Sequence, residues 1–465
     1  MISFINSTKL EKLKFDTVVE NIFLHTCLIQ SEYGTILNYI EKIEDIEKGG
    51  IYIIEDKKLS DGIITEMKSR EKYFIPNEIF QSEANEKNLF IEKDGAFICS
   101  FDLISFIKCL VYNKVSLHNK NLFLKYQNYQ RFPFAEYLLE KFASDLKNII
   151  IEKKLEYAEK QLNKNSYFLP TFDYDRIKYF KTKKDIFYPI LDILYHPDYT
   201  KKYIHLRKKL KKDPWDRKKE IACVLKSKGL FGLHFVFVEG RDIFTSRYSM
   251  KEAREIISQI SEGSNAGVHL TYESSYSRHA MNRQIAKFKS FEKKNVYSRF
   301  HYLHPMNEKI IAVFSNNNII ADFSVGLRQR IGFANGFSKP YRLFPNGTLE
   351  FPVIMMDSAI VSERKKENYP MKKIFEEVKL MGGVMSTIFH PSSLDENTYP
   401  EYEGILSEMI SLAEKYKFEN SRIESLTKLF SKKVLKKEDE HLLLDKDGKS
   451  DIKLYNQNDD FKLKE

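Results

Sequence analysis

Between residues 167 and 390 the chain repeats one pattern: a short apolar run, then a stretch with helical periodicity. The runs are YFLPTFDYD (167–175), GLFGLHFVFVE (229–239), NAGVHLTYE (265–273), NVYSRFHYL (295–303), NIIADFS (318–324), TLEFPVIMMD (348–357) and GVMSTIFH (383–390). Apolar residues at three- and four-residue spacing mark helices between several of them, at 213–229, 249–263, 277–294 and 368–383. Seven strands in series with intervening helices predict an α/β fold, either a parallel (β/α) barrel of about seven strands or a doubly wound sheet. In both architectures the side chains at the C-terminal strand ends build the site.

Residues 1–165 have a different rhythm and predict a smaller N-terminal α+β or α/β domain. GIYIIED (50–56), NLFIEK (88–93) and AFICSF (96–101) have strand composition, and Phe134 to Leu162 is periodic as one long amphipathic helix. The boundary is placed after residue 165, the repeating α/β domain at 166–415, and a C-terminal helix with a charged tail at 416–465. From about 432 the tail is low in apolar residues and predicts disorder.

Composition narrows the function classes. Hydrophobic residues make up 42% of the chain, enough for two cores. The net charge of +10 is spread without a dense basic stripe, which argues against nucleic acid and is compatible with an anionic glycan or a nucleotide sugar. Cys27, Cys99, Cys109 and Cys223 show no metal-finger spacing and read as reduced thiols. With no leader pattern at the start and no run of about 18 apolar residues, a cytoplasmic protein without a transmembrane segment is expected. The oligomeric state is left open.

Five polar clusters fall at successive strand ends. In Thr171-Phe172-Asp173-Tyr174-Asp175 the carboxylates are spaced i, i+2 and can face one pocket. Two carboxylates so close repel unless a proton or cation stands between them, giving one the role of metal ligand and the other of general base. The plainer account is a solvated loop with Asp175 capping a helix. His269 ends the next candidate strand with Glu273 four residues on, donors that suit zinc or a similar divalent ion; a lone histidine is otherwise more often structural. Arg299 could orient a carboxylate and His301 could line a pocket, or both could belong to a surface turn. Asp322 opens a Gly-rich, aromatic loop with Arg328, Arg330 and Phe333, suited to sugar binding or to a plain connection. His390, after the last apolar run, is a candidate general acid.

Together these segments resemble the polysaccharide deacetylase (NodB-homology) superfamily, carbohydrate esterase family four, in its bacterial branch with an extra N-terminal domain. The family's T-x-D-x-D, G-x-H-x-S/T, R-x-H-Y/F-L, D-x-S-x-G…G-F-R-x-G and apolar-x-H motifs correspond to TFDYD (171–175), GVHLT (267–271), RFHYL (299–303), DFSVGLRQRIGFANG (322–336) and TIFHP (387–391). The resemblance covers about 166–415. It implies a metal-dependent hydrolase that deacetylates an amino sugar in surface-polysaccharide or glycoconjugate biosynthesis, acting on a glycan or an activated amino sugar with zinc as the usual metal. It makes Asp173 the base, Asp175 and His269 metal ligands, Arg299 the residue orienting the base and His390 the acid. Two departures stand out. Glu273 occupies the place of the family's second histidine ligand, and GFANG lacks the arginine of GFR. A catalytically inactive carbohydrate-binding or scaffold protein on the same barrel is the alternative.

Overall fold

The computed structural model describes residues 2–8, 10–28, 35–55, 89–99, 102–112, 131–155, 157–160, 162, 164–177, 213, 215–239, 249–260, 263–292, 295–304, 306–365, 370–395, 399–431, 441–444 and 450–451. It divides into two compact units, one made of Met1–Lys164, Asn335–Leu349 and Phe430–Glu465, the other of Asn165–Ala334 and Glu350–Leu429.

The first unit holds a five-stranded sheet of β1 (Ile2–Asn6), β2 (Thr35–Ile40), β3 (Ile51–Ile54), β4 (Phe90–Lys93) and β5 (Ala96–Cys99), in the order β1-β2-β3-β5-β4. Four strands run parallel and β4 pairs antiparallel at the edge. Helices Lys12–His25, Leu103–Val111 and Phe134–Glu152 supply apolar faces to this unit. The last is shorter than its periodicity predicts. It stops at Glu152, Lys154 takes a left-handed φ of 53°, and Tyr157–Lys160 is a strand, β6. The expectation of a disordered tail falls mostly on 432–440, 445–449 and 452–465, outside the described residues; between them His441–Leu444 pairs antiparallel with β6.

In the second unit the seven expected runs yield β7 (Tyr167–Asp173), β8 (Leu233–Val236), β9 (Asn265–Leu270), β10 (Val296–Phe300), β11 (Ile319–Asp322), β14 (Val353–Met356) and β15 (Val384–Phe389); in chain order the short strands β12 (Tyr341–Arg342), in the first unit, and β13 (Leu349–Glu350), at the division between the units, come between β11 and β14. Pairing is parallel and follows chain order from β7 to β11, and β14 pairs with β15, which pairs back onto β7. The chain just past β11 reaches β14 through a parallel bridge between Gly326 and Val353 and through the Val353 N–H, which donates to the Val325 carbonyl at 2.7 Å. The result is a curled, parallel-rich α/β sheet. All seven residues of β7 and all six of β15 are buried, as expected of strands covered on both faces. Among the described residues no helix is long and apolar enough to cross a membrane.

Gly267 shows why the second motif begins with glycine. It stands opposite Phe235, and a Cβ there would lie 2.6 Å from that ring and 3.0 Å from the Tyr297 carbonyl oxygen. The Phe235 ring in turn lies 4.2 Å from the Arg299 guanidinium. Gly267→Ala is therefore expected to destabilise the fold by about 1–3 kcal/mol through overpacking. Urea unfolding measures this, and an unchanged midpoint would refute the close-approach account.

Candidate active site

Every chemistry-bearing side chain in this unit's cavity lies at the C-terminal edge of the parallel sheet. Asp173 ends β7 and Asp175 follows two residues later. His269 and Arg299 are neighbours in register near the ends of β9 and β10, and His301 and His390 come directly after β10 and β15. The cavity has a volume of about 230 Å³, and its wall includes Asp173, Asp175, His301, Tyr302, Arg328 and His390.

Asp175 is the hub. His269 Nε2 lies 2.9 Å from its Oδ1, while His301 Nε2 and His390 Nε2 lie 3.2 and 3.5 Å from its Oδ2. Burial alone would raise its pKa, but the three imidazoles hold the carboxyl well below the usual carboxylate range. His269 Nδ1 faces the Arg299 carbonyl at 3.0 Å, an oxygen that can only accept, so Nδ1 carries the proton. In the neutral ring Nε2 then presents a lone pair to a carboxylate, a juxtaposition that calls for a proton or a metal ion between them.

Asp173 is fixed from behind by an arginine with no exposure at all. Arg299 Nη1 donates to Asp173 Oδ1 at 2.6 Å and to the Thr171 hydroxyl at 2.7 Å, and its Nε donates to the Phe323 carbonyl at 3.0 Å. The Thr171 hydroxyl in turn donates a hydrogen bond to the Thr387 carbonyl, which accounts for the threonine that opens TFDYD. Asp173 Oδ2 stays on the cavity side, 3.7 Å from His269 Nε2.

His390 is held by a residue that the sequence reading passed over. Asp357, buried at the start of the helix after β14, accepts from His390 Nδ1 at 2.9 Å, from the His390 backbone N–H at 2.7 Å and from Ser393 at 2.6 Å. Burial would lower the histidine's pKa, but the charges of Asp357, Asp175 and Asp173 push it up to about 10. The signal for Asp357 was a carboxylate ending the sixth apolar run, as Asp175 ends the first.

This pair makes a stability prediction. A histidine whose folded pKa is near 10 binds more protons folded than unfolded between about pH 6.5 and 10. Its contribution is complete below the unfolded pKa and is lost as the pH rises through the folded one. Asp357→Asn should flatten that alkaline decline, measured by denaturant unfolding at pH 7 and pH 10. An identical pH slope in both proteins would contradict the pairing.

The remaining expected residues lie as follows. Glu273 is not brought to His269. The chain leaves β9 in a 3₁₀ turn, Tyr272–Ser275, and the Glu273 carboxylate is 45% exposed with Arg283 3.7 Å away. His301, expected to line the substrate pocket, also brings its Nε2 to Asp175. Asp322 and Phe333, expected against substrate, are fully buried and absent from the cavity wall. Asp322 instead accepts from Ser298 Oγ at 2.6 Å and the Ser324 N–H at 3.0 Å, and its partner is the buried Glu350. Burial raises both pKa values; the Asp322 charge and hydrogen bond raise Glu350 further, whereas the hydrogen bond from Glu350 lowers Asp322, so the proton of the pair stays on Glu350. Arg328 does line the cavity, and Arg330 does not.

Asp175, His269 and His301 provide one carboxylate and two imidazoles, a donor set whose chemistry fits zinc. Among the described residues, no three His, Cys, Asp or Glu side chains are already arranged to hold a metal ion. The histidine nitrogens are turned onto Asp175 itself.

No protein-family model matches the chain, and no curated protein sequence matches it. Among solved structures the chain is similar to a protein from Mycobacterium smegmatis provisionally described as a polysaccharide deacetylase. The two share 12% sequence identity with a TM-score of 0.38, over 59% of this chain and 93% of that one. A likeness this slight carries no weight for function, which has to be argued from the cavity.

Proposed function

We propose that the second unit is a metal-dependent amide hydrolase that removes an acetyl group from an N-acetylated amino sugar of a surface polysaccharide or glycoconjugate. The observation that carries this reading is the convergence of two differently equipped carboxylates on one cavity: Asp173 clamped by Arg299, and Asp175 ringed by three imidazole nitrogens. The motif resemblance of 166–415 supports the same reaction.

Asp175, His269 and His301 would hold the metal, with His301 taking the part that its position in the motif leaves to Glu273. A divalent ion bound there would polarise the acetamide carbonyl and acidify an attacking water. Arg299 keeps Asp173 Oδ1 engaged, leaving Oδ2 to accept the proton of that water. His390, kept charged by Asp357, is placed to donate its Nε2 proton to the departing sugar nitrogen. Apolar wall residues, Phe300, Leu303, Met356 and Ile388, limit bulk water around these steps.

A second reading has one observation in its favour. With no three-ligand group already arranged among the described residues and Glu273 turned to Arg283, a catalytically inactive carbohydrate-binding protein would keep the same cavity. Acetate release from N-acetylglucosamine oligomers separates the two. The hydrolase should release acetate when supplied with zinc and stop when the metal is chelated. Sugar binding without acetate release under every divalent metal tried would select the inactive protein.

A further inference from the structure

The second unit buries two carboxyl groups that the proposed chemistry does not use. Asp322 ends β11 and Glu350 ends β13, its neighbour in the sheet, and both are fully buried. The Phe351 N–H donates to the Asp322 carbonyl at 2.8 Å, which sets Glu350 beside Asp322. Glu350 Oε1 accepts from the Val325 N–H at 2.9 Å, and among the described residues no N–H or hydroxyl donates to its Oε2. Two facing carboxylates repel unless a proton stands between them, and Oε2 is the oxygen left to carry it toward Asp322. Burial and the Asp322 charge favour the same assignment, holding the Glu350 carboxyl well above the usual carboxylate range. Asp322 and the Arg299 guanidinium are the charged groups that bear on it.

The pair closes on residues 322–325, and that segment holds Arg299. Asp322 takes the Ser298 hydroxyl and the Ser324 N–H, and Glu350 takes the Val325 N–H. Between these fixed points the Phe323 N–H donates to the Ser298 carbonyl at 2.9 Å, and the Phe323 carbonyl accepts from Arg299 Nε at 3.0 Å. Ser324 Oγ accepts from the Phe300 N–H at 2.8 Å. The other hydrogen bonds of Arg299 go to Thr171 and Asp173. We propose that Glu350 is a positioning residue for the base: as a neutral donor to Asp322 it locks residues 322–325 around Arg299, and through Arg299 it aims Asp173. The inference rests on the reaction proposed above and adds a residue to it. Neither obvious substitute for a protonated acid does the same work. An ionised Glu350 would set a second negative charge against the Arg299 guanidinium, in competition with Asp173. An apolar side chain would strand the buried Val325 N–H and take a donor from Asp322.

The test compares Glu350→Gln with Glu350→Met in the full chain. Glutamine keeps both hydrogen bonds, its oxygen for the Val325 N–H and its amide N–H for Asp322, whereas methionine keeps neither at similar size. Glu350→Met should lower kcat for acetate release about 10–100-fold with KM unchanged, the pattern of a misaimed base, and Glu350→Gln should restore it. If the methionine variant does not fold, Glu350→Asp, a methylene too short to span both partners, takes its place with the same expected loss. Two readouts need no turnover. The infrared difference between wild type and Glu350→Gln at pH 7 should show the carbonyl stretch of one protonated carboxyl group. The denaturant midpoints of Glu350→Met, Arg299→Met and the double variant should be non-additive, the second substitution shifting the midpoint less than it does alone. A glutamine variant as slow as the methionine one, a missing carboxyl band or additive midpoints overturns the proposal. A wild-type chain that releases no acetate, yet shows the band and the coupling, sinks the hydrolase and keeps the hold on Arg299. Acetate release with wild-type kcat in Glu350→Met does the reverse.

Discussion

Asp175→Ala is expected to lower acetate release about a thousandfold and to abolish stoichiometric zinc binding. Three imidazole nitrogens face this carboxylate at 2.9, 3.2 and 3.5 Å, so its removal leaves them without their common anion. The loss should exceed that from any outer residue, whose replacement at a metal centre costs about 10–100-fold. Stability should respond as well. A carboxyl held well below its ordinary pKa stabilises the fold above the unfolded value near 3.8, and that stability drains away as the pH falls through the folded one. The variant should lose this acid limb. Metal analysis, acetate release and unfolding at pH 3 and pH 6 give three separate readings. A variant with full zinc content and full activity would remove Asp175 from the centre of the proposed mechanism.

How far the sequence foretold this site depends on how local each feature is. Strand positions were legible because each buried parallel strand is a short, nearly continuous apolar run. All seven runs contain the observed strands, with expected ends longer by a few residues, as for 229–239 against Leu233–Val236. The residues at strand ends followed from topology. Glu273 was named because it stands four residues after His269, at the place of the family's second ligand. The chain leaves β9 there in the 3₁₀ turn Tyr272–Ser275, with Arg283 beside the Glu273 carboxylate, and the imidazole nearest Asp175 besides His269 comes from the adjacent strand, through His301. Asp357 and Glu350 were missed for a different reason. Each acquires its character from a partner far off in sequence, His390 for one and Asp322 for the other, and no spacing rule encodes that meeting. Asp322 differs in another way. A carboxylate at a strand end was given a place against substrate, whereas its oxygens are already taken by Ser298, Ser324 and the shared proton with Glu350.

Arg299→Met should destabilise the protein by about 3–5 kcal/mol and cut acetate release at least a hundredfold. The methionine fills much of the same space, so the loss isolates charge and hydrogen bonding rather than volume. Arg299 is fully buried between the Phe235 and Phe323 rings, with its guanidinium 4.2 and 5.6 Å from their centroids. From there it reaches Asp173, Thr171 and the Phe323 carbonyl at once. Lysine should not rescue it, because a single ammonium cannot span three acceptors from one planar fork. Adding Asp173→Leu to Arg299→Met should restore part of the lost stability, since removing both members of a buried pair is far less costly than stranding one. It should restore none of the activity. That divergence separates a residue that only holds the sheet together from one that also readies the base. If the double variant is as unstable as the single one, the ion pair is not what Arg299 contributes. If Arg299→Met instead unfolds at the wild-type denaturant midpoint, Asp173 owes neither its placement nor its charge to the arginine behind it.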